Sequence, residues 1–380
     1  MRLAIDATVL EDARPSGIGT AAFNIVNELA SLHDDLIVWT IDDSLLKVDR
    51  GRINKIFANS RRTLGSNIYL ARAAWTQFVL PTLLKKAKAD VFYTPIPEGI
   101  LYSHLPLPVP QIVTVYDIAP LLYKNNVPLM RHLSFKYRLP LVFRAAIKLI
   151  AMSENTKKDI IGHYGISDDK IEVVHGAIDC GNFTPPAATE KAAILNKYAL
   201  IEGRYFLYVG SVLPSKNIGT LIDAFDAIGR GYTLVIAGKR PDEAYERRLS
   251  RMIRDRASSA GNIRFLDYVP YDELPALYNG ACANVLVSLI EGFGLPPLEA
   301  MASGTAVIVS DRGSLPEIAG DAALIVDAMS VDEIAQAMIR IANDKKLRSE
   351  LIKKGMEHVK KFSWRRTAER ILDICKASLK

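Results

Sequence analysis

The stretch EGFGLPPLE, residues 291–299, places two carboxylates around a Gly-Phe-Gly turn and two successive prolines. Prolines suit the first turn of a helix, and glycines let the backbone approach a ligand closely. A helix N-terminus presents free N–H groups to an anion, and a carboxylate accepts hydrogen bonds from two neighbouring hydroxyls. Glu291, ahead of the helix, and Glu299, expected in or near its first turn, therefore predict a site for an anionic ligand that carries vicinal hydroxyls. Acids that only complement the helix dipole are the weaker interpretation, because they leave the glycines and prolines unexplained.

A lysine stands where another helix is expected to begin. The segment GSVLPSKN, residues 210–217, follows an apolar strand and leads into a helical pattern, which puts Lys216 at the helix start. The helix dipole disfavours a cation at that place. A phosphate bound there would resolve the conflict, so Lys216 predicts a phosphate contact, with an ordinary surface lysine as the alternative.

Two further loops carry glycines or polar groups at strand ends. PSGIGT, residues 15–20, is a glycine turn without the full dinucleotide-binding spacing, which disfavours a hydride-transfer enzyme. TVYDIAP, residues 114–120, ends a strand with Tyr116 and Asp117. The chain contains no DxD, HExxH, GxxxxGK[ST] or GxSxG pattern, so no metal-ligand set, phosphate-binding loop or nucleophile elbow is predicted.

Apolar strands alternate with helical patterns along the chain. The strands are LAIDATV, LIVWTI, VFYTP, QIVTVYD, KLIAMS and IEVVHG in the first half, then RYFLYVGS, YTLVIAG, NIRFLDYV, ANVLVS and TAVIVS. Such alternation predicts an α/β architecture with parallel sheets covered on both faces. Prolines and small residues in NFTPPAATE, residues 182–190, indicate a linker between two doubly wound domains. Ligands bind at the carboxyl ends of parallel strands, so the site is expected in the cleft between the domains.

Composition limits the class of protein. The 380 residues are 49% hydrophobic and 24% charged, which is typical of a globular protein. Three dispersed cysteines, Cys180, Cys282 and Cys375, fit a reducing cytoplasm better than a disulfide framework. Acids follow the N-terminus at once and the longest apolar runs are of strand length, so we expect neither a signal peptide nor a membrane span.

Positive charge is concentrated in one window of the sequence. Residues 51–150 carry 14 Lys or Arg against 3 Asp or Glu, in a chain whose net charge is +6. Within it, residues 67–88 and 131–148 mix cations with apolar side chains. Two amphipathic helices with solvated cationic faces are one interpretation, and a surface for anionic lipid or an anionic acceptor is an equal one. Nucleic acid is the weakest partner, because no RRM, KH or zinc-finger pattern accompanies the charge.

The second half of the chain resembles the retaining glycosyltransferases of family 4, especially their bacterial polysaccharide and lipopolysaccharide branch, where mannosyl donors are frequent. Residues 265–327 look like that family almost throughout and include its E-x7-E signature at Glu291 and Glu299. GSVLPSKN resembles the family's phosphate-clamp segment, SGIGTAAFNIVNEL its N-terminal glycine loop, and VVHGAID the end of its first domain. FSWRRTAERILDI looks like the helix that closes the family's chain.

The resemblance implies the GT-B fold, in which two Rossmann-like domains flank a cleft. The acceptor-binding domain would span residues 1–183, and the sugar-nucleotide-binding domain residues 184–362. The last helix, 363–380, would pack back on the first domain.

The resemblance also implies roles for individual residues. Glu299 would hold the ribose hydroxyls, Lys216 the diphosphate, and Glu291 the sugar hydroxyls beside the anomeric carbon. Asp117 would join Glu291 and Lys216 in the catalytic set. The remaining donor contacts would come from Gly210, Ser211, Arg240, Phe293, Gly294 and Leu295, and the acceptor and diphosphate loop from Gly17, Gly19 and Tyr116.

Two positions depart from the family's pattern. Ser211 stands where the clamp often carries an arginine, so another cation, Arg240 or Arg312, is expected to replace it. Tyr116 stands where many relatives carry a histidine, and a backbone carbonyl or Asp117 is expected to share that role.

The activity implied by the resemblance is hexosyl transfer with retention of anomeric configuration, without a metal or other cofactor. The leaving diphosphate, stabilised by Lys216 and helix dipoles, would itself take the proton of the acceptor. GDP-mannose is the favoured donor, and the acceptor would be a glycan or a polyprenyl-diphosphate-linked glycan at the inner face of the cytoplasmic membrane. The alternatives are a sugar-nucleotide epimerase of the same fold and a catalytically silent sugar-nucleotide-binding subunit.

Overall fold

The computed structural model describes residues 1–10, 17–44, 46–55, 68–101, 107, 109–124, 127–229, 231–255 and 262–379. The chain divides into two units. The first unit comprises Met1–Ala177 together with Phe362–Lys380, and the second comprises Ile178–Lys361. The division between them follows residue 177, a few residues before the position that the sequence suggested.

The first unit is built on a parallel sheet. Its strands are β1 (Leu3–Ala7), β2 (Leu36–Thr40), β3 (Ile53–Lys55), β4 (Val91–Thr94), β5 (Gln111–Val115), β6 (Lys148–Ala151) and β7 (Ile171–Val173). Within the described residues they lie in the order β3-β2-β1-β4-β5-β6-β7. Every residue of β1 and of β5 is buried, as a sheet covered on both faces requires.

Helices connect these strands. They are α1 (Gly17–Leu32), α2 (Ile68–Phe78), α3 (Leu80–Ala87), α4 (Ala119–Leu122), α5 (Leu129–Leu133), α6 (Leu139–Ala145) and α7 (Glu154–Tyr164). The first predicted amphipathic helix of the basic window is divided into α2 and α3, and in the second a π-helical turn, Ser134–Arg138, joins α5 to α6. In both cases a proline stands in the first turn of the last piece. A proline lacks the N–H that an uninterrupted helix would use at that point.

The second unit repeats the same design. Its strands are β8 (Tyr205–Val209), β9 (Thr233–Ala237), β10 (Asn262–Leu266), β11 (Ala283–Leu286), β12 (Val307–Ser310) and β13 (Leu324–Val326). They are all parallel, in the order β10-β9-β8-β11-β12-β13 across the described part of the unit.

The helices of the second unit run between and after its strands. They are α8 (Ala188–Lys197), α9 (Ile218–Asp226), α10 (Glu243–Asp255), α11 (Leu274–Gly280), α12 (Leu295–Ala302), α13 (Leu315–Ala319), α14 (Val331–Asn343) and α15 (Lys345–His358). The closing helix α16 (Trp364–Ala377) belongs to the first unit, where the Thr367 hydroxyl donates a 2.8 Å hydrogen bond to the His175 carbonyl.

The strand order of each unit reverses once, which marks where a ligand is expected. The chain first winds outward from β1 to β3, then continues on the other side of β1 with β4; the second unit does the same from β8, with β11 on its other side. In open α/β sheets the crevice at such a reversal, at the carboxyl ends of the strands, is the usual ligand site. In the second unit, the loops after β8 and β11 are therefore expected to bind the ligand.

The α/β architecture and all of the predicted strands are confirmed, but several strands end two or three residues earlier than predicted. Two short strands, β3 and β13, were not predicted. The expected linker, residues 182–190, lies within the second unit and is mostly exposed. Phe183 anchors it, because this side chain is fully buried and its ring lies edge-on to Tyr271 at 5.0 Å. Prolines here shape an entry into α8 within the second unit.

Candidate functional site

The two loops at the strand reversal of the second unit are joined by an ion pair. Lys216 Nζ in the loop after β8 donates a 2.6 Å hydrogen bond to Glu291 Oε1 in the loop after β11. Their side chains are 22% and 14% exposed, so both charges are largely withdrawn from water. The structure thus brings together the cation and the first carboxylate that the sequence singled out.

Lys216 lies in a single 3-10 turn, Pro214–Lys216, and not in the helix that follows. Asn217 separates the two with a left-handed backbone, φ 58°, and α9 begins only after it. The Asn217 amide donates hydrogen bonds to the carbonyls of Val287, 3.1 Å, and Ala328, 2.6 Å. These bonds connect the lysine-bearing loop to the segments that follow β11 and β13, and the first of them holds Lys216 close to the loop that carries Glu291.

Glu291 is held from several sides. Ser288 donates its hydroxyl to Glu291 Oε1 at 2.9 Å, and both the amide and the hydroxyl of Ser314 donate to the Glu291 carbonyl, at 3.2 and 3.1 Å. Gly313 passes so close that a Cβ there would lie 2.8 Å from the Glu291 nitrogen and oxygen. A bare backbone at position 313 is therefore a condition for the placement of Glu291.

The Gly-Phe-Gly turn leads into α12 as the sequence predicted. Gly294 is the residue before the helix, with φ 92°, a left-handed value that favours glycine. Two prolines follow Leu295 in the first turn, and Phe293 is 7% exposed. The amides at the start of α12 thus lie one residue beyond a turn built from small and rigid residues, which suits an anion.

Glu299 is the fifth residue of α12, just after its first turn and close to the predicted place, and is 8% exposed. Tyr278 of α11 donates its hydroxyl to Glu299 Oε2 at 2.9 Å. Burial raises the pKa of Glu299 from 4.5 to about 7, against the opposing effect of that hydrogen bond. A buried carboxyl with a pKa near neutrality is a candidate functional group.

The remaining predicted donor contacts lie around the end of β8. Gly210 has φ 150°, and the Tyr208 hydroxyl donates to the Ser211 carbonyl at 3.0 Å. A Cβ at Gly238, after β9, would lie 2.0 Å from the Gly210 oxygen, so these two loops require close contact between backbones. Ser211 itself is exposed.

Both arginines named as substitutes for the clamp cation are paired with carboxylates. Arg240 contacts Asp267 at 2.6 Å and also Glu246, and these interactions raise its pKa. Arg312 contacts Asp311 at 3.1 Å and Asp327 at 3.0 Å. The acids involved are well exposed in most of these pairs, and exposed pairs are inexpensive to break. Either arginine could therefore exchange its partner for a ligand phosphate.

The predicted residues of the first unit form a separate group. Gly17 and Gly19 open α1, while Pro15 and Ser16 of the same loop lie outside the described residues. Tyr116 is 8% exposed, and burial raises the pKa of its phenol, whose hydroxyl has no hydrogen-bond partner among the described residues. Asp117 accepts a 2.9 Å hydrogen bond from the Ala119 amide and so begins α4.

Sequence reasoning overlooked buried charge at the strand reversal of the first unit. Asp6, on β1, is 1% exposed, and burial raises the pKa of its carboxyl. Arg72 of α2 pairs with Glu98, after β4, at 2.9 Å, with side chains only 8% and 17% exposed. The acid inside the otherwise apolar run LAIDATV was the one available signal for this group.

No group of three or more His, Cys, Asp or Glu with the geometry of a metal site occurs in the described part of the chain. In the same residues no helix is both long enough and apolar enough to cross a bilayer.

Two family models match this chain, one in each half. Residues 15–182 match the model described as Glycosyltransferase Family 4, and residues 191–358 match Glycosyl transferases group 1. The matched segments fall close to the two structural units and together cover most of the chain.

Curated relatives are similar over part of their length. The chain is 34% identical over 220 residues to O-antigen chain mannosyltransferase B from Escherichia coli, covering 57% of each protein. It is 32% identical over 223 residues to O-antigen chain mannosyltransferase RfbU from Salmonella typhimurium, covering 59% of this chain and 58% of the relative. The chain thus spans rather more than half the length of the curated relatives it matches.

Solved structures share the fold over the whole chain. HepE from Anabaena, in complex with UDP and glucose, superposes with a TM-score of 0.75 at 16% identity, covering 99% of this chain and 100% of that one. WaaG, a glycosyltransferase involved in lipopolysaccharide biosynthesis, gives a TM-score of 0.70 at 16% identity, with 98% and 99% covered. At such identities the likeness establishes the GT-B fold alone.

Proposed function

The chain belongs to the glycosyltransferases of family 4, and from that membership we propose that it moves a hexose from a sugar nucleotide to a glycan acceptor in cell-surface polysaccharide synthesis. The observation that carries the proposal is the Lys216–Glu291 ion pair at the strand reversal, next to the Gly-Phe-Gly turn and the buried Glu299. A cation, the backbone amide of Leu295 at the start of α12 and two carboxylates supply what a diphosphate and two sets of hydroxyls need.

In this proposal the donor lies along the second unit. Lys216 and the amides of Phe293, Gly294 and Leu295 hold the diphosphate. Glu299 accepts hydrogen bonds from the ribose hydroxyls. Glu291 exchanges its partner Lys216 for hydroxyls of the transferred hexose when the diphosphate takes over the lysine.

We propose that transfer retains the anomeric configuration. The bond between the anomeric carbon and the β-phosphate oxygen breaks, the acceptor oxygen bonds to the same face of that carbon, and the acceptor's proton passes to the departing phosphate oxygen. The developing negative charge on the diphosphate is stabilised by Lys216 and the N-terminus of α12. No protein nucleophile and no metal enters this scheme.

Mannose from GDP-mannose is our first candidate for the donor. Support comes from the two O-antigen mannosyltransferases, at 34% and 32% identity, and from the same sequence branch that the motifs resembled. Ser211 leaves the diphosphate without the usual clamp arginine, and Arg240, after β9, is the candidate to replace it. Asp117, Tyr116, Gly17 and Gly19 stay predictions for the acceptor side.

The acceptor is proposed to be carried on a polyprenyl diphosphate, with the protein peripheral on the inner face of the cytoplasmic membrane. In the first unit three large apolar side chains near α5 and α6 are exposed: Leu129 by 68%, Met130 by 61% and Tyr137 by 62%. Arg131 and Lys136 stand among them in the sequence. Apolar side chains flanked by cations suit an anionic lipid surface.

A nucleotide screen followed by a transfer assay tests the proposal. GDP, UDP, ADP, TDP and their sugar conjugates are added in the presence of EDTA, and thermal unfolding is followed. A ligand at 100 times its Kd should stabilise the fold by about 2.7 kcal/mol. Stabilisation by GDP compounds supports GDP-mannose as the donor. Stabilisation by nucleotides of another base means that the donor carries that base. If no nucleotide raises the unfolding temperature, the proposed donor site is contradicted.

Labelled GDP-mannose then distinguishes the three candidate functions: a transferase, an epimerase and a catalytically silent subunit. Transfer of label to a glycan or lipid-linked acceptor, with an α-linkage in the NMR spectrum of the product, supports the retaining transferase. A β-linkage overturns retention. Conversion of the free sugar nucleotide to an epimer supports the epimerase, and binding without any turnover supports the silent subunit. Loss of activity with EDTA, restored by a divalent cation, overturns the metal-free scheme.

A further inference from the structure

The second unit holds Glu299 by one oxygen. Tyr278 Oη lies 2.9 Å from Glu299 Oε2, and Oε1 carries no hydrogen bond among the described residues. Tyr278 is fully buried, and its ring packs against Phe183 at 6.2 Å. Its own carbonyl accepts the Thr305 hydroxyl at 2.6 Å, so both the backbone and the ring of this tyrosine are fixed.

From this geometry we propose that Tyr278 is a positioning residue, which holds Glu299 in the orientation and the ionised state that accept the ribose hydroxyls of the donor. The inference rests on the proposed function. A hydroxyl that can only donate toward a carboxylate favours the charged form. With Oε2 occupied, Oε1 is the oxygen that meets the ligand, so Tyr278 also selects which oxygen is presented.

The surroundings of Glu299 bring its pKa to about 7, so that both the protonated and the ionised carboxyl are populated near neutral pH. Burial opposes the charge and brings the pKa to about 7, and the Tyr278 bond is the opposing influence; no lysine or arginine of the described residues contributes. The phenol of Tyr271 also faces Glu299, and that of Tyr208 faces Tyr278, and both have a raised pKa. The other carboxylate of the loop, Glu291, is paired with Lys216.

The charged groups of α15, one of the elements packed against α12, include two that are engaged elsewhere. His358 hydrogen-bonds to the Ile318 carbonyl at 2.8 Å, and Lys354 pairs with Asp321 at 3.0 Å. Burial is the largest influence on the pKa of Glu299, and the Tyr278 hydrogen bond is the influence that favours the ionised carboxylate. Because ribose hydroxyls donate, the donor binds the ionised carboxylate, and binding below neutral pH must release a proton.

The experiment is calorimetric titration between pH 5.5 and 9 with GDP-mannose, or with whichever sugar nucleotide the screen selects, because its diphosphate diester lacks the terminal phosphate ionisation at about pH 6 that free GDP has. For the wild type, affinity should fall about tenfold per pH unit below a midpoint near 7, as one proton is released. Tyr278→Phe keeps the ring and loses only the hydroxyl. It should move the midpoint upward by about one unit, weaken binding about fivefold at pH 7, and approach the wild type at pH 9.

Tyr205→Phe is the matched control, since Tyr205 is equally buried but donates its hydroxyl to the Leu277 carbonyl. It should leave the midpoint where it is, whereas Glu299→Gln should abolish the pH dependence. An unchanged midpoint in Tyr278→Phe, with the sugar nucleotide still bound, overturns the inference but not the proposed function. Failure of the wild type to bind any nucleotide at any pH overturns both.

A measurement on the wild type alone covers the case in which Tyr278→Phe does not fold. At pH 6, the binding enthalpy in buffers of different ionisation enthalpy gives the number of protons released. We expect a value approaching one. A value of zero, with tight binding, contradicts the requirement for an ionised Glu299 and overturns the inference.

Discussion

Lys216 Nζ and Glu291 Oε1 lie 2.6 Å apart although 75 residues separate them in the chain. The pair joins the loops after β8 and β11, the two strands between which the order of the second sheet reverses. Each residue is thereby held at the place where a sugar nucleotide would need it. The same contact means that the donor must compete with Glu291 for the lysine.

The strength of this pair is measurable by a double-mutant cycle. Lys216→Met, Glu291→Gln and the double variant should give a coupling free energy of about 1–3 kcal/mol in urea unfolding, because both charges are largely buried. The pair Lys354–Asp321, with side chains 54% and 81% exposed, is the control and should show a much smaller coupling free energy, because water screens both charges. Equal coupling in the two cycles would show that burial of the Lys216–Glu291 pair adds nothing.

Removal of Glu299 and removal of Glu291 should have different effects on donor binding and on turnover. Glu299→Ala should raise the Kd of the donor roughly 10- to 100-fold with a smaller change in kcat, since ribose contacts differ little between ground and transition states. Glu291→Ala should mainly lower kcat, roughly tenfold or more, since it lies beside the reacting sugar. Single-turnover rates and calorimetric Kd values for both variants decide. Donor affinity and rate that are intact in both would remove these residues from the site.

Gly313 should prove essential for catalysis although it offers no side chain. Gly313→Ala would place a methyl group 2.8 Å from the Glu291 backbone, so that Glu291 must move, and kcat should fall at least about tenfold. Gly203→Ala is the control: its backbone is also left-handed, φ 69° against 61°, but nothing lies within 4 Å of its Cβ position. Both should lose about 1 kcal/mol of stability through backbone strain. Equal kcat values would contradict the role of Gly313.

Local sequence patterns predicted the strands and the loops of the candidate site, but not the long-range contacts that hold its residues in place. Apolar runs located the predicted strands, and the loops at their carboxyl ends contain Lys216, Glu291 and Glu299. Tyr278 and Gly313 were not predicted, because their roles depend on contacts that form only in the folded chain. Tyr278 contacts Glu299, 21 positions away, and Gly313 contacts Glu291, 22 positions away. The short strands β3 and β13 escaped because three residues carry no periodicity.

Lys216 lies two residues before α9, close to the predicted helix start, but in a 3-10 turn of its own that local patterns did not predict. A helix start was predicted from the apolar pattern, but Asn217 adopts the left-handed conformation and ends a separate 3-10 turn first. Its amide bonds to Val287 and Ala328 stabilise that conformation, and both partners lie far along the chain. Tertiary hydrogen bonds therefore decided a boundary that propensity could not.

The exposed apolar residues of the first unit should mediate binding to anionic membranes. A Leu129→Ser, Met130→Ser and Tyr137→Ser triple variant should co-sediment with phosphatidylglycerol vesicles at least about tenfold more weakly than the wild type. Added salt should weaken wild-type binding, because cations flank the apolar side chains. Ile201→Ser, which removes an apolar residue 72% exposed on the second unit, is the control. Unchanged sedimentation of the triple variant would remove the membrane surface from the proposal.

Glu299 should make the protein less stable as the pH rises. Its pKa is about 7 in the folded chain against an ordinary 4.5, so the folded state binds more protons than the unfolded state between these values. Stability is therefore full below about pH 4.5 and is lost as the pH rises through 7. The shift of about 2.5 units corresponds to a loss on the order of 3 kcal/mol.

Replacing Glu299 by glutamine removes that loss, since the amide stays neutral and its carbonyl can still accept the Tyr278 hydroxyl. In urea unfolding, Glu299→Gln should be more stable than the wild type at pH 8 and equal to it near pH 5. Glu273→Gln is the control of opposite sign. Burial pushes the pKa of Glu273 up, but hydrogen bonds from Lys197 and Tyr198 outweigh burial and hold it below its ordinary value. That variant should be less stable than the wild type at both pH 5 and pH 8. A Glu299→Gln advantage that is the same at both pH values would come from packing, and would contradict a buried, ionising carboxyl at position 299.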